Sequence, residues 1–292
     1  MGSPFSPHSP QTEMIAAVFS LVLVIAAVIF LLVAAGVCYT SLRYRSRGNA
    51  TTEPRQIFGS RRVEILWTAI PLLIVTGLFV VTVRAMLAID APQDSGRAPD
   101  LVITGHQWWW DARYPNGVLS TGDIHIPTSR RLLARIQSAD VIHDFWVPEL
   151  ARKMDAVPGR ASYIWLEADT PGTYEGACSE FCGVQHAWMR FRVIAEPEAD
   201  FEKWLRAVPA ADEPLFINKG CASCHSSISG KGPSLAGLSR REFLGGGISR
   251  NTPENLMLWL TDPQAAKPGN RMPNTPLTAD ERRVLLAYLE RL

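Results

Sequence analysis

Two long runs of apolar residues dominate the first third of the chain. The first, Met14 to Tyr39, and the second, Ile65 to Val83, contain no charged residue. A bilayer is crossed by roughly 20 such residues in a helix. We therefore predict a two-helix transmembrane hairpin, with spans at about 14–39 and 65–86, inside an N-terminal region of residues 1–90.

The segment between the two runs is basic. It contains six arginines but only Glu53 and Glu64 as nearby acids; the arginines are Arg43, Arg45, Arg47, Arg55, Arg61 and Arg62. The positive-inside rule places such a short loop in the cytoplasm, so both ends of the hairpin face outward. The same cluster favours an anchor over a cleaved signal peptide, which would carry basic residues before its apolar core.

After Ala91 the pattern changes to short apolar segments rich in Val, Ile, Tyr and Trp, separated by Pro and Gly. This alternation predicts strands of a β-sandwich or barrel. The predicted strands are Leu101 to Thr104, Leu132 to Ile136, Tyr163 to Leu166 and Phe191 to Ile194. We expect a cupredoxin-like domain over residues 91–207, which ends in a short helix at Asp200 to Ala207.

The last part of the chain is helical in character. Residues 208–214 predict a linker, and residues 215–292 an all-α domain with helices at Leu215 to Lys219, Asn255 to Thr261 and Ala279 to Leu292. Thr278 is positioned to cap the last helix. Its predicted apolar face comprises Val284, Leu285, Tyr288 and Leu289.

Charge and cysteine usage narrow the function. Lys and Arg number 29 against 28 Asp and Glu, a formal net charge of +1, so the chain lacks the basic excess of nucleic-acid-binding proteins. Four of the five cysteines form two close pairs, each followed by a histidine, while Cys38 ends the first apolar run. Cysteine pairs beside histidine indicate metal or cofactor chemistry.

The first cysteine pair predicts a copper site. Cys178, Cys182, His186 and Met189 lie in the segment CSEFCGVQHAWM, and His143 precedes it in HDFWVP. Thiolate, imidazole and thioether ligands together favour copper, and two cysteines on one loop can bridge two copper ions. A structural Cys2His2 zinc site and a Cys178–Cys182 disulfide are the alternatives. The zinc site has no use for Met189, and the disulfide has none for His143, His186 or Met189.

Over roughly its first two hundred residues the chain resembles subunit II of cytochrome c oxidase. The resemblance rests on the copper loop, HDFWVPEL, KMDAVPGR, GHQWWW and VEILWTAIP. It implies a binuclear copper A centre with ligands His143, Cys178, Cys182, His186, Met189 and the main-chain carbonyl of Glu180. It further implies that the Glu180 side chain helps to hold a magnesium ion at the boundary with subunit I.

The same resemblance assigns two further roles. Trp108 corresponds to the tryptophan through which electrons enter the copper centre. Because Trp108, Trp109 and Trp110 alternate faces in a strand, we expect at least one of these rings to be exposed. Glu64 corresponds to the entrance of a proton pathway into subunit I, although an interfacial carboxylate near Arg61 and Arg62 is equally consistent with the sequence.

The second cysteine pair predicts covalent heme. Cys221-Ala-Ser-Cys224-His225 is the c-type attachment pattern, in which two thiols bind the heme and the histidine binds its iron. A chance CxxCH and a thioredoxin-like redox pair are the alternatives. Phe216 is expected to pack against Tyr288, which resembles a helix contact of class I cytochromes c. Gly232, Pro233 and Leu235 match that family's loop after the histidine.

The sixth iron ligand should be a methionine downstream of this motif. Met257 lies within the apolar run LMLWL beside Trp259, which predicts a core position. Met272 lies in an irregular segment, Pro268 to Pro273, that can reach across a heme face. We therefore predict Met272 as the ligand, and His/Met ligation raises the iron potential, as suits electron donation to copper.

These features predict an electron-transfer subunit of a cytochrome c oxidase in a bacterial inner membrane, with both cofactor domains on the outer side. Electrons would pass from an external donor, such as a cytochrome c or the cytochrome bc complex, through heme c and copper A to subunit I. There oxygen would be reduced to water with proton translocation; subunit III and membrane lipid are the other expected partners. A copper-A-containing nitric oxide reductase subunit and a membrane-anchored electron or copper carrier are the rivals.

The segment Asp111 to Ser120 contains a single carboxylate. Oxidases that use a soluble cytochrome usually display an acidic docking surface near this segment, so electrostatic steering of an external donor should be weak here. A tethered heme domain needs no such steering, because linkage supplies an effective concentration of roughly millimolar.

Overall fold

The structure is a computed structural model. It describes residues 2, 3, 5–45, 56, 59–93, 96–206, 214–226 and 231–292. The chain divides into two compact units: Glu13–Ile89 forms one, and Met1–Thr12 together with Asp90–Leu292 forms the other.

The smaller unit consists of two long apolar helices, α1 (Pro10–Arg43, whose first residues belong to the larger unit) and α2 (Arg61–Ile89). Among the described residues these two are long and apolar enough to cross a membrane, and they contain the predicted spans. A cavity lined by Met14 and Leu21 of α1 and by Val81 and Ala88 of α2 lies between them, as an antiparallel hairpin requires. Most of the predicted basic loop, including Arg47, Glu53 and Arg55, lies outside the described residues.

The region predicted as the copper domain is a β-sandwich of two five-stranded sheets. The strands are β1 (Leu101–His106), β2 (Trp109–Arg113), β3 (Leu119–Thr121), β4 (Asp123–Pro127), β5 (Leu132–Ser138), β6 (His143–Trp146), β7 (Met154–Ala156), β8 (Ser162–Leu166), β9 (Gly172–Cys178) and β10 (Arg190–Glu196). The first sheet has the order β3-β2-β1-β5-β8 and the second β4-β10-β9-β6-β7; within these two sheets the pairs β1–β5 and β4–β10 are parallel and the others antiparallel.

Alternation of apolar and polar residues explains the sandwich. In β10, Phe191, Val193 and Ala195 are buried while the residues between them are more exposed. Phe191 stacks on Phe145 with ring centroids 4.6 Å apart, and Trp110 of the opposite sheet packs edge-on against Phe145 at 5.5 Å. This aromatic cluster joins the two sheets beneath the copper loop.

Helix α3 (Glu198–Arg206) follows the sandwich and begins two residues before the predicted helix. It buries Phe201, and Trp204 stacks on the His125 ring with centroids 4.0 Å apart and an angle of 11° between the ring planes. Ala207 and the predicted linker, apart from Pro214, lie outside the described residues.

The C-terminal domain is built from short helices around one apolar core. Its elements are α4 (Pro214–Asn218), α5 (Ala222–His225), β11 (Phe243–Leu244), β12 (Ser249–Arg250), α6 (Pro253–Thr261), α7 (Pro263–Ala266) and α8 (Ala279–Leu289). The two-residue ribbon β11–β12 is the departure from an all-α domain. Phe216 of α4 packs against Tyr288 of α8 with centroids 5.5 Å apart, as the sequence predicted.

Helix α8 begins with a capping box. The Thr278 hydroxyl accepts from the Glu281 amide at 3.2 Å, and the Glu281 carboxylate accepts from the Thr278 amide at 2.8 Å. Leu285, Tyr288 and Leu289 are buried, but Val284 is 48% exposed, so its predicted place on the core face was wrong. Val284 lies on the helix surface next to the buried stripe rather than within it.

Candidate functional site: two metal-binding loops in contact

The predicted copper ligands converge on one loop of the β-sandwich. Strand β9 ends at Cys178, a turn carries Cys182, and a 3₁₀ turn at His186–Trp188 leads through Met189 into β10. The Cys182 Sγ lies 3.7 Å from the Cys178 Sγ, from the His186 Nδ1 and from the Met189 Sδ. The Cys178 Sγ lies 3.9 Å from the His143 Nδ1 and 3.2 Å from the Glu180 carbonyl oxygen. All six predicted donors are therefore brought together.

This donor set fits two bridged copper ions. Both cysteines are free thiols, and Cys178, Cys182, Met189 and His143 are buried. The hydrogen bond from the Cys182 thiol lowers the pKa of Cys178 to about 3, against the effect of burial. The shared proton correspondingly raises the pKa of Cys182. A pair that already favours one thiolate is suited to soft metal ions, which bind thiolate rather than thiol.

Asp140 orients the His143 ring, a contact that the sequence reasoning missed. The His143 Nε2 lies 2.8 Å from the Asp140 Oδ1. Since a carboxylate accepts, Nε2 carries the hydrogen and leaves Nδ1 free to bind metal on the side facing Cys178. The only hint in the sequence was that Asp140 stands three residues before His143, a predicted copper ligand.

Trp108 contacts the copper loop directly. Its indole N–H donates to the Cys182 carbonyl at 3.1 Å, and the side-chain amide of Gln107 donates to the same oxygen at 2.7 Å. The expectation of an exposed ring in the tryptophan run was wrong: Trp108 is 9% exposed, Trp110 is fully buried and Trp109 is half-buried. The reason is that Arg271 of the C-terminal domain lies over the Trp108 ring, 5.4 Å from its centroid.

The predicted heme residues line a cavity of about 340 Å³. Cys221, Cys224 and His225 lie around helix α5, and the His225 Nδ1 lies 2.8 Å from the Pro233 carbonyl oxygen. Because a carbonyl only accepts, Nδ1 carries the hydrogen and Nε2 is free for iron. Gly232 keeps this loop close, since a Cβ there would lie 3.2 Å from the His225 ring.

The cavity distinguishes the two candidate methionines. Met272 lines it, whereas Met257 does not. The Trp259 indole nitrogen is buried without a hydrogen-bond partner among the described residues, and it belongs to another residue that lines the cavity. Buried donors are normally satisfied, so this orphan donor fits a heme, whose carboxylates accept hydrogen bonds. The residues present therefore fit covalent heme with His225 and Met272 as the iron ligands.

The two candidate sites touch through their own loops. The Arg271 guanidinium donates to the Gln107 side chain, and the side-chain amide of Gln185 in the copper loop donates to the Pro268 carbonyl, which begins the Met272 segment. Farther along, Arg192 binds Asp123 within the sandwich and also Glu242 of the C-terminal domain. The loop that carries the predicted iron ligand thus packs on the loop that carries the predicted copper ligands.

Glu64 lies in the first turn of α2, in the other compact unit. Asp111, the single carboxylate of segment 111–120, is buried and bound to Thr121 and His106, so it adds no charge to the surface.

Comparison with known proteins identifies the family. Models of the cytochrome c oxidase subunit II transmembrane domain, the subunit II periplasmic domain and cytochrome c match residues 5–84, 118–196 and 213–292, respectively. Cytochrome c oxidase subunit 2 of Alkalihalophilus pseudofirmus is 32% identical over 98% of this chain and 89% of its own length. The chain belongs to the cytochrome c oxidase subunit II family.

Two further proteins similar to this chain are also subunits II of cytochrome c oxidases. The homologue from Bacillus sp. strain PS3 is 31% identical over 84% of this chain and 78% of its own length. The crystal structure of the periplasmic domain of subunit II of Bradyrhizobium japonicum is 29% identical and covers 38% of this chain and 94% of that one, with a TM-score of 0.36. The three family models and the relatives of at least 30% identity together show a membrane-anchored oxidase subunit with a cupredoxin-like domain and a fused cytochrome c domain.

Proposed function

We propose that this subunit takes electrons from an external donor at a covalent heme c and delivers them through a binuclear copper A centre to subunit I of the oxidase. There oxygen is reduced to water and protons are translocated. When bound, the copper pair and the heme iron supply reversible one-electron chemistry. The chain itself would hold the two groups close to each other and exclude water from them.

The contact between the Met272 segment and the copper loop carries this proposal. Arg271, one residue from the proposed iron ligand, lies over Trp108, whose indole N–H binds the Cys182 carbonyl. A continuous chain of contacts therefore joins the proposed heme ligand to a proposed copper ligand. The alternative of a membrane-anchored electron or copper carrier without an oxidase partner does not explain why the chain belongs to the subunit II family.

Further assignments complete the proposal. The copper ligands are His143, Cys178, Cys182, His186, Met189 and the Glu180 carbonyl, and the heme residues are Cys221, Cys224, His225 and Met272. Glu180 helps to hold magnesium at the subunit I boundary, and Glu64 marks the entrance of a proton path. The anchor lies in a bacterial inner membrane with both cofactor domains outside and with subunit III as a further partner.

Metal analysis and rapid kinetics on the purified complex test the core of this proposal. We expect two copper ions and one covalent heme for each copy of the chain, and reduction of the copper band immediately after that of the heme. In Cys182→Ser the heme should still be reduced by the donor while electrons stop there. Cys38→Ser, which changes the exposed thiol of α1, is the control and should behave as the wild type. One copper ion per chain in the wild type contradicts the binuclear centre.

A further inference from the structure

The copper domain forms one wall of the heme cavity. Beside the residues of the C-terminal domain, the cavity is lined by the copper-domain residues Gln107, Trp108, Trp109, Thr121, Gly122, Gln185 and Arg190. The heme proposed above would therefore be in contact with both domains.

Among these wall residues, Trp109 has an unsatisfied donor. Its indole nitrogen is buried and has no hydrogen-bond partner among the described residues. The Trp108 indole donates to the Cys182 carbonyl at 3.1 Å. The Trp110 indole nitrogen also has no partner among the described residues, but Trp110 is fully buried in the sandwich core and does not line the cavity. An N–H group that is buried without a partner is rare in native proteins and calls for an acceptor that completes it.

The Trp109 ring is held in place from behind. It stacks on the His106 ring with centroids 4.6 Å apart and an angle of 2° between the planes. The His106 Nε2 lies 3.2 Å from the Asp111 Oδ2, and the Thr121 hydroxyl donates to the other oxygen of Asp111. Both residues of the stack belong to paired positions of β1 and β2, so the orientation of the indole is fixed by the sheet.

We propose that Trp109 is a heme-contact residue contributed by the copper domain, and that its indole N–H donates a hydrogen bond to a propionate carboxylate of the heme. The proposal rests on the heme c of the proposed function. The propionates are the hydrogen-bond acceptors of a heme, and the half-buried Arg241 and the buried Lys267 line the same cavity as basic side chains that suit a carboxylate. Through this bond the copper domain would fix the position of the heme relative to the copper loop.

Trp109→Phe tests the bond because it keeps an aromatic ring on His106 and removes only the donor. A hydrogen bond to a carboxylate stabilises its charged form. Loss of the bond should raise the propionate pKa by about one unit, a tenfold change in proton affinity. It should also lower the heme midpoint potential at a pH above that pKa, because the less neutralised carboxylate favours ferric iron. The copper absorption band should stay unchanged.

The matched control is Trp204→Phe. Trp204 is likewise stacked on a histidine, His125, with centroids 4.0 Å apart, but it does not line the cavity. Its substitution should leave the heme potential and its pH dependence at the wild-type values. Trp109→Tyr, which keeps the ring and restores a donor, should recover part of the wild-type potential.

Three outcomes would overturn the role of Trp109. They are a heme-loaded Trp109→Phe chain with unchanged potential and pH dependence, an equal shift in Trp204→Phe, and a wild-type propionate bending band in resonance Raman spectra that does not respond to D2O. The resonance Raman measurement uses the wild-type protein, so it tests the role of Trp109 even if the substitution impairs folding. A wild type without covalent heme would instead refute the proposed function, and this role with it.

Discussion

Arg271→Ala is the most direct perturbation of the contact between the cupredoxin-like domain and the cytochrome c domain. The Arg271 side chain is exposed. Its guanidinium carbon lies 5.4 Å from the centroid of the Trp108 ring, and the guanidinium donates a hydrogen bond to the Gln107 side chain. Alanine removes both interactions and leaves the neighbouring Met272 in the chain. The substitution should therefore weaken docking without removing a proposed ligand.

The size of the effect follows from the two lost interactions. A cation–π contact at an exposed site contributes about 0.5–1 kcal/mol. The hydrogen bond from the guanidinium to Gln107, discounted for solvent screening, contributes about 0.5–1 kcal/mol. Their sum, about 1–2 kcal/mol, changes the docking equilibrium by a factor of about 5–30. The remaining contacts, Gln185 to Pro268 and Arg192 to Glu242, keep the domains associated in part of the population.

Flash-induced electron injection into the heme of the purified complex measures the consequence. With the docked and undocked states of the wild type equal in free energy, the docked fraction, and with it the rate of heme-to-copper transfer, should fall by a factor of about 3–15. The heme and copper spectra should stay as in the wild type. Arg283→Ala is the control, because Arg283 pairs with Asp280 on the exposed surface of α8. A rate in Arg271→Ala equal to that of Arg283→Ala, with both spectra intact, would refute the reasoning.

Four other expected outcomes address the ligands and the fold. Met272→Ala should keep the covalent heme but lower its midpoint potential, whereas Met257→Ala should not, as redox titration of both variants shows. Tyr114→Phe should lower the free energy of unfolding by about 1–3 kcal/mol in denaturant titration, because the Tyr114 hydroxyl binds both the amide and the carbonyl of His125, each at 2.8 Å. Thr278→Ala should destabilise the heme domain by about 1 kcal/mol, with Thr278→Ser close to the wild type in the same titration. Burial lowers the pKa of His125 despite its contact with Glu196, so the unfolded chain takes up the proton first and stability should fall as pH drops below about 6.5; His125→Phe should flatten this dependence in melts recorded across that range.

Much of the architecture could be predicted from local patterns. Charge-free runs of spanning length predict helices whatever their partners are, and α1 and α2 contain both predicted spans. The ligand residues of the copper loop lie within twelve positions of one another, so a single turn between β9 and β10 brings them together. The capping box at Thr278 is likewise a property of four consecutive residues.

The parts that could not be predicted depend on contacts between distant segments. At least one ring of the run GHQWWW was expected to be exposed, since nothing in that run shows that Arg271, far along the chain, lies over the Trp108 ring. Val284 follows the helical period but lies just outside the buried stripe. Asp140 could have been noticed three residues before His143, but only the structure shows that its carboxylate accepts from that ring.

The covered Trp108 changes how the sparse acidic surface is understood. The sequence reasoning took a single carboxylate in segment 111–120 as weak steering of an external donor, and the structure shows that even this residue, Asp111, is turned inward to His106 and Thr121. With Arg271 on the Trp108 ring, the face where an external donor would approach copper is already occupied by the cytochrome domain. On the proposed function a donor would then reduce the heme first, so recognition of the donor would depend on the exposed surface of the C-terminal domain rather than on charge around the copper loop.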